Sequence, residues 1–459
     1  MSDKATSDAR PGSFDPLEDW PPNSGTASPI DLYGLRGRAV TQPAGDGGRT
    51  IALDASGQPI LTEAQRRRWG FAPGESFEVA ETPEGILLRR ADPPLMKVYV
   101  EPTSRCNLSC RTCVRHSWRE PLGMMSDETY ARLVAGLRAV PTLRTVAFWG
   151  FGEPLLHPSI APMIAAAKAL GAETELITNA LLLDAERSRA LLDSGLDRLI
   201  VSVDGATPLA HGDVRDGASL DAVVANVARL NRWKQELGRA NPEVGLEFVL
   251  MRSNVGELAK IRSLASRLEA ELIVVTNVLP YTRELADEAL YGLRAGRSYP
   301  QRSRWYPEVR LPRLETRGDL LGPLAQFLSQ GEVLDTQRGA VSDSPGYCRF
   351  INEGSAVVSW DGELSPCVGL MHSYTVYPHG REKRIRRYSI GNVGDTTVGD
   401  LWARDEFRSF RQRVRDFGFS PCSDCGACEL AERNESDCFG NAFPTCGDCL
   451  WARGVIQCP

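Results

Sequence analysis

No stretch of this chain approaches the ~20 consecutive apolar residues that a bilayer-spanning helix needs. Residues 1–30 also lack the apolar core of a secretory signal. A basic excess is missing as well. The net charge is -6, so the overall balance points to neither nucleic acid nor an anionic membrane. These absences predict a cytoplasmic protein with no membrane partner. Without export, disulfides are not expected, and the twelve cysteines are read as metal ligands. What is present is ordinary for a globular enzyme: 459 residues, 42% hydrophobic and 24% charged, enough for two or three domains.

The most informative segment is Glu101-Pro-Thr-Ser-Arg-Cys106-Asn-Leu-Ser-Cys110-Arg-Thr-Cys113. Three thiolates at these spacings can hold three irons of a cubane cluster, and no fourth cysteine lies nearby. The fourth iron is then open to a substrate or cofactor. C-x3-C-x2-C resembles the motif of the radical S-adenosylmethionine (SAM) superfamily, and three companions on successive strands resemble that family too. Gly150-Phe151-Gly152-Glu153-Pro154 is similar to its GGEP motif, with Phe151 in place of the first Gly. Thr178-Asn179-Ala180 is similar to TNG, with Ala180 where Gly is usual, although a turn-forming Asn explains it equally. Ser202-Val203-Asp204-Gly205 is similar to S-x-D-G, and Arg215 follows a short way downstream.

The resemblance implies a [4Fe-4S] cluster on Cys106, Cys110 and Cys113, whose free iron chelates SAM. One-electron cleavage of SAM then yields a 5′-deoxyadenosyl radical that abstracts hydrogen. It also implies that Gly152, Glu153, Pro154, Ser202, Asp204 and Arg215 contact SAM. An exposed surface role for Arg215 competes with that reading, and no residue is assigned to catalysis or radical quenching.

Strands read at 96–101, 145–149, 173–178, 197–203, 244–250 and 271–276 alternate with helices such as 127–140, 158–170 and 220–237. This is a parallel α/β pattern. Six units over residues 93–282 are too few for a closed eight-fold barrel and match the partial (β/α)6 barrel of radical SAM enzymes. Active groups are then expected beyond the C-terminal strand ends. Residues 1–34 read as a disordered tail.

Residues 35–92 contain a short helix from Thr62 and a hairpin at 76–90, a small β-rich module that resembles the AbrB-like swapped-hairpin domain. Between residues 49 and 90 six Arg meet six acids, so DNA binding is disfavoured against a homodimer or docking role. Residues 283–345 read as a linker.

The segment 346–459 is cysteine-rich: Cys348, Cys367, Cys422, Cys425, Cys428, Cys438, Cys446, Cys449 and Cys458. Cys348-x13-Gly362-x4-Cys367 resembles the opening of a SPASM domain, which implies one or two auxiliary [4Fe-4S] clusters. Residues 356–364 read as a hairpin. Nine thiols suit two four-iron clusters with one left over, or one cluster with spectators, and zinc is the structural alternative. His372 and His379 read as surface polar residues.

The phrases at 274–291 and 438–459 resemble radical SAM maturases of tungsten-cofactor oxidoreductases of the aldehyde ferredoxin oxidoreductase type. That implies a protein or protein-bound cofactor as substrate and a ferredoxin or flavodoxin as electron donor. The alternative is a SPASM peptide-modifying enzyme forming a thioether or C–C crosslink. A remote one is an iron–sulfur redox-sensing DNA-binding regulator, against which the SAM-pocket motifs speak.

Overall fold

The computed structural model describes residues 92–118, 120–291, 347–420, 422 and 428–458, with short pieces elsewhere. The pieces are backbone strands at Ala52–Leu53 (β1), Pro59–Ile60 (β2), Phe77–Thr82 (β3), Gly85–Arg90 (β4), Glu308–Arg310 and Leu334–Asp335, and single positions at 62, 63, 65, 322, 323 and 326. The expected tail at 1–34 and most of the AbrB-like module lie outside the described residues. The chain divides into two units, Met1–Phe71 and Ala72–Pro459.

In the first unit β1 pairs antiparallel with β2. Gln65 Oε1 accepts from the Thr62 backbone N–H at 2.9 Å, while Thr62 Oγ1 accepts from the Gln65 N–H at 3.2 Å. This reciprocal capping box explains why a helix starts at Thr62. In the second unit β3 and β4 form a hairpin in the register Phe77↔Arg90 to Thr82↔Gly85.

The main sheet is parallel and built in sequence order. Its strands are Lys97–Val100 (β5), Thr145–Phe148 (β6), Glu173–Thr178 (β7), Arg198–Val203 (β8), Glu243–Leu250 (β9) and Ala270–Asn277 (β10). Residues such as Val98, Val146, Leu176, Leu199, Leu246 and Ile273 are fully or almost fully buried. That matches strands covered on both faces, as parallel sheets require. The intervening helices include Asp127–Leu137, Ile160–Lys168, Ala185–Ser194 and Leu220–Glu236. Three of these four start on a side-chain cap: Ser126, Asp184 and Ser219 each accept from a backbone N–H three residues on. Near the strands' N-terminal ends, Glu175 joins Lys97 at 2.6 Å and Arg198 at 2.9 Å. The chemistry is thereby left to the other end.

Two features depart from the sequence reading. The segment read as a linker contributes two short parallel strands, β11 (Glu308–Arg310) and β12 (Leu334–Asp335), to the edge beyond β10. Runs of three and two residues are too short to produce a readable period. On the opposite edge, Ser355–Val358 (β13) pairs in parallel with β5, in the register Ser355↔Lys97 to Val358↔Val100. The cysteine-rich segment therefore begins as a continuation of the barrel sheet.

Gly354 makes this junction possible, with a φ of +67° and a position where a Cβ would lie 1.9 Å from the Pro94 carbonyl oxygen. Glu363–Ser365 (β14) returns antiparallel to β13 as the expected hairpin. Tyr374–Val376 (β15) and Lys383–Ile385 (β16) form a separate pair, and Gly391–Asn392 (β17) ends the eleven-stranded sheet beside β14. Among the described residues no helix is long and apolar enough to cross a membrane.

Candidate functional site

The loop that follows β5 carries Cys106, Cys110 and Cys113, all partly exposed. A turn closed by the Cys113 N–H on the Cys110 carbonyl, at 3.0 Å, brings the last two together. Arg115 Nε donates to Cys113 Sγ at 3.1 Å, and its Nη2 donates to the Leu108 carbonyl at 2.7 Å, so a cation is fixed beside the sulfur. Burial pushes the Cys106 thiol up and the Cys110 thiol up to about 11. Loading metal here must therefore expel protons, which a metal does readily.

Among the described residues no three Cys, His, Asp or Glu side chains converge to share one metal ion. Thiolates on separate corners of a cubane need no such point.

The loop Gly150–Glu153 after β6 lies directly on the cysteine loop. The Glu153 N–H donates to the Arg105 carbonyl at 2.8 Å. A Cβ at Gly152 would stand 2.1 Å from the Thr103 oxygen and 2.5 Å from the Arg105 oxygen, so only glycine permits this backbone approach.

Glu153 is buried. Its Oε1 accepts from Thr178 Oγ1 at 2.6 Å and the Leu155 N–H at 2.9 Å, and its Oε2 accepts from the Asn179 N–H at 2.8 Å. Oε2 keeps a free lone-pair direction by this count. Burial raises the Glu153 pKa, and these three donors oppose that. Ala180, where glycine is usual, sits at a φ of +58°, the conformation that glycine would favour.

From β8, Ser202 Oγ donates to Glu247 Oε2 at 3.2 Å. Asp204 is fully buried and accepts from Arg215 Nε at 2.8 Å and the Val249 N–H at 3.2 Å. Its carboxylate is therefore taken up by Arg215, and it does not line the cleft. Arg215 is 12% exposed and does line it, so the surface alternative falls away. Burial opposes the charge on Arg215, but Asp204 overcomes it and raises the Arg215 pKa. Pro154 is buried at the start of a short turn and does not line the cleft.

These groups share one cleft of about 210 Å3. It is lined by Cys106, Cys110, Cys113, Gly152, Glu153, Asn179, Ser202 and Arg215. It also includes residues the sequence reading missed: Glu247, Thr276, Asn277, Tyr281, Trp451 and Gln457. Burial pushes the Glu247 carboxyl up to about 7. A lone carboxylate inside the apolar run Gly245–Leu250 was the signal available for it. Gln457 had none, since it comes from the chain's last residues. Its backbone N–H donates to Thr276 Oγ1 at 2.9 Å, and Asn277 Nδ2 donates to the Val455 carbonyl at 2.9 Å. The Gln457 amide is buried, and neither its nitrogen nor its oxygen has a hydrogen-bond partner among the described residues, which leaves the NH2 donors and the carbonyl acceptor for a ligand.

The remaining cysteines fall into distinct surroundings. Cys367 is raised by burial and then by Cys348, Cys449 and Cys446, so those four thiols are electrostatic neighbours. Cys348 is pushed up to about 12, by burial and then by Cys449. Cys422 and Cys438 share the Ser420 hydroxyl, at 3.6 and 3.0 Å, and Cys428 is exposed. Cys425 lies outside the described residues. Cys458 stands apart: the Trp451 indole N–H donates to its sulfur at 3.1 Å, and the charges acting on it are Glu247, Arg349 and Lys97.

His379 is exposed as expected, but His372 is not. It is 1% exposed, because two carboxylates from other parts of the chain enclose it.

Comparison with known proteins places these modules in context. The radical SAM superfamily model matches residues 100–235, and the SPASM iron-sulfur cluster-binding domain model matches residues 348–429. The tungsten-containing aldehyde ferredoxin oxidoreductase cofactor-modifying protein of Pyrococcus furiosus is 30% identical over 366 residues, covering 79% of this chain and 96% of the relative. The PqqA peptide cyclase of Gluconobacter oxydans is 26% identical over 374 residues, covering 77% of this chain and 88% of the relative. Among solved structures, Streptococcus suis SuiB gives a TM-score of 0.48 at 14% identity, covering 74% of this chain and 72% of that one.

Proposed function

Because the chain belongs to the radical SAM superfamily and carries a SPASM cluster-binding domain, we propose that it is a maturase of a tungsten-containing oxidoreductase or of its cofactor. The observation that carries this reading is the likeness to the cofactor-modifying relative, which extends over 79% of this chain and 96% of the relative.

Cys106, Cys110 and Cys113 would hold the SAM-binding cluster, which when bound supplies an electron to SAM and so a 5′-deoxyadenosyl radical. The chain's own groups orient the ligand. The free acceptor direction of Glu153 suits the methionine ammonium, and Arg215, held by Asp204, suits its carboxylate. Ser202 adds a polar contact on the same wall. Trp149, Phe151, Tyr281 and Trp451 line the cleft and exclude water from a radical. Glu247, poised near neutrality, can hold or release a proton on that wall.

In the C-terminal segment, Cys348, Cys367, Cys446 and Cys449 would hold one auxiliary cluster. Cys422, Cys428 and Cys438, with Cys425 by its spacing, would hold a second, and Cys458 is the ninth thiol outside both. A ferredoxin or flavodoxin donor, a cytoplasmic setting and a homodimer through the N-terminal module complete the reading. A second reading, a peptide-modifying enzyme, is supported by the peptide cyclase relative.

The test uses anaerobically reconstituted, reduced protein with SAM. Formation of 5′-deoxyadenosine should accelerate when a tungsten oxidoreductase or its pterin cofactor is added, with a mass change on that partner. Acceleration by a precursor peptide alone would favour the second reading, and no 5′-deoxyadenosine under any condition would contradict both.

A further inference from the structure

His372 belongs to the cysteine-rich segment, five residues after Cys367, yet its side chain is embedded against the barrel. Its Nε2 lies 2.9 Å from Glu101 Oε2 and its Nδ1 lies 2.7 Å from Glu120 Oε2. Glu101 directly follows β5, and Glu120 lies beyond the cysteine loop. The Ser373 N–H also donates to Glu120 Oε1, at 2.6 Å. The rings of Trp118 and Phe151 cover the imidazole, with centroids 4.4 and 6.1 Å away. With both carboxylates ionised, a carboxylate against each ring nitrogen calls for hydrogen on both nitrogens, which makes the ring an imidazolium.

The contact continues to the glycine loop. Glu101 is fully buried, and its other oxygen, Oε1, accepts from the Phe151 N–H at 3.1 Å. A Cβ at Gly150 would stand 2.4 Å from Glu101 Cγ, so the loop is packed directly on this side chain. One carboxylate thus has a C-terminal histidine on one side and the Gly150–Glu153 backbone on the other. Without His372, Glu101 would be a buried carboxylate without its cation, held only by the N–H groups of Phe151 at 3.1 Å and Trp360 at 3.4 Å.

We propose that His372 is a positioning residue for SAM: it pins Glu101, and through it the Gly150–Glu153 backbone, so that the C-terminal module sets the barrel's affinity for SAM. The inference rests on the radical SAM reading above. The charged groups facing the ring are Glu101 and Glu120. Behind Glu120 stands Arg387, paired with Asp361 at 2.8 Å. Trp118 and Phe151 add no charge.

Burial alone would lower the imidazole pKa, but the hydrogen bonds to Glu101 and Glu120 outweigh it and raise it to about 9. A raised histidine contributes fully below its ordinary pKa of 6.5 and loses that contribution as pH rises through about 9.

The experiment is equilibrium binding of labelled SAM to full-length, anaerobically reconstituted protein, with iron content and melting temperature measured alongside. His372→Phe should weaken SAM binding roughly tenfold or more at pH 7 with iron unchanged, the scale of losing a group that orients a binding residue. His372→Gln, whose amide can still donate to Glu101, should recover much of that loss. It should also lack the decline through pH 9 expected of the wild type. A His372→Phe protein that is less stable but binds SAM with wild-type affinity would overturn the proposal, as would the same pH 9 decline in His372→Gln.

Should His372→Phe fail to fold, Glu120→Gln supplies the second arm. It keeps the Glu101 contact and should shift the pH of the decline downward, and an unmoved midpoint would overturn the proposal. Wild-type protein that binds no SAM at all would instead defeat the superfamily reading.

Discussion

Two sets of cysteines in this molecule differ in number and in how the chain brings them together. Cys106, Cys110 and Cys113 come from one short loop, are partly exposed and face a cleft rimmed by glutamate, arginine and asparagine. Cys348, Cys367, Cys446 and Cys449 come from three separate stretches of the chain; Cys348 is buried, the other three are partly exposed like the first set, and each of the four is raised chiefly by burial. On the proposed reading, the first set would leave a position for an incoming ligand. The second would tie residues 446–449 to β13 and its neighbours, as a structural site does. Ligand number, three thiols against four, would then separate a reaction centre from a staple.

The largest effect should come from breaking the first set. Replacing Cys106, Cys110 and Cys113 with Ala should cut 5′-deoxyadenosine formation by roughly 10³ or more, as removal of a cooperating catalytic unit does. Iron in the C-terminal segment should remain. Breaking the second set should do the reverse. Cys446→Ala with Cys449→Ala should release about four irons per chain and lower the melting temperature, while SAM cleavage without substrate persists. Retained iron would refute the grouping, and zinc in the same sample would identify the alternative metal.

A smaller effect sharpens the rim of the cleft. Asp204→Asn leaves the Arg215 guanidinium buried without its counter-ion, at a cost of about 3 kcal/mol. A reduced denaturant midpoint together with weaker SAM binding is expected. An unchanged SAM affinity would mean that Arg215 does not meet the ligand. The smallest effect tests the odd thiol. Cys458→Ala should leave iron unchanged and cost about 1 kcal/mol, from the Trp451 indole N–H left without its sulfur acceptor. Loss of iron would instead make Cys458 a ligand.

The first set was legible because its spacing is local and its companions sit one per strand end, where parallel folds place their chemistry. The strand order was legible from alternation, since each buried strand forms a compact apolar run. Asp204 was read as a ligand contact because type and position do not reveal that Arg215 already occupies it. His372 was misplaced because its partners, Glu101 and Glu120, lie more than 250 residues away in sequence. Pairings of that range leave no local period, and the strands at 308–310 and 334–335 are too brief to leave one. Gln457 reaches the cleft only because the chain end folds back on β10.

On the proposed function, one cluster is open to SAM and the others are closed. The most direct measurement is the EPR spectrum of reduced wild-type protein and of the Cys106/Cys110/Cys113→Ala variant, each with and without SAM. The account predicts that SAM reshapes the wild-type spectrum and leaves the variant's remaining signals untouched. A SAM-induced change in the variant, or none in the wild type, would contradict it.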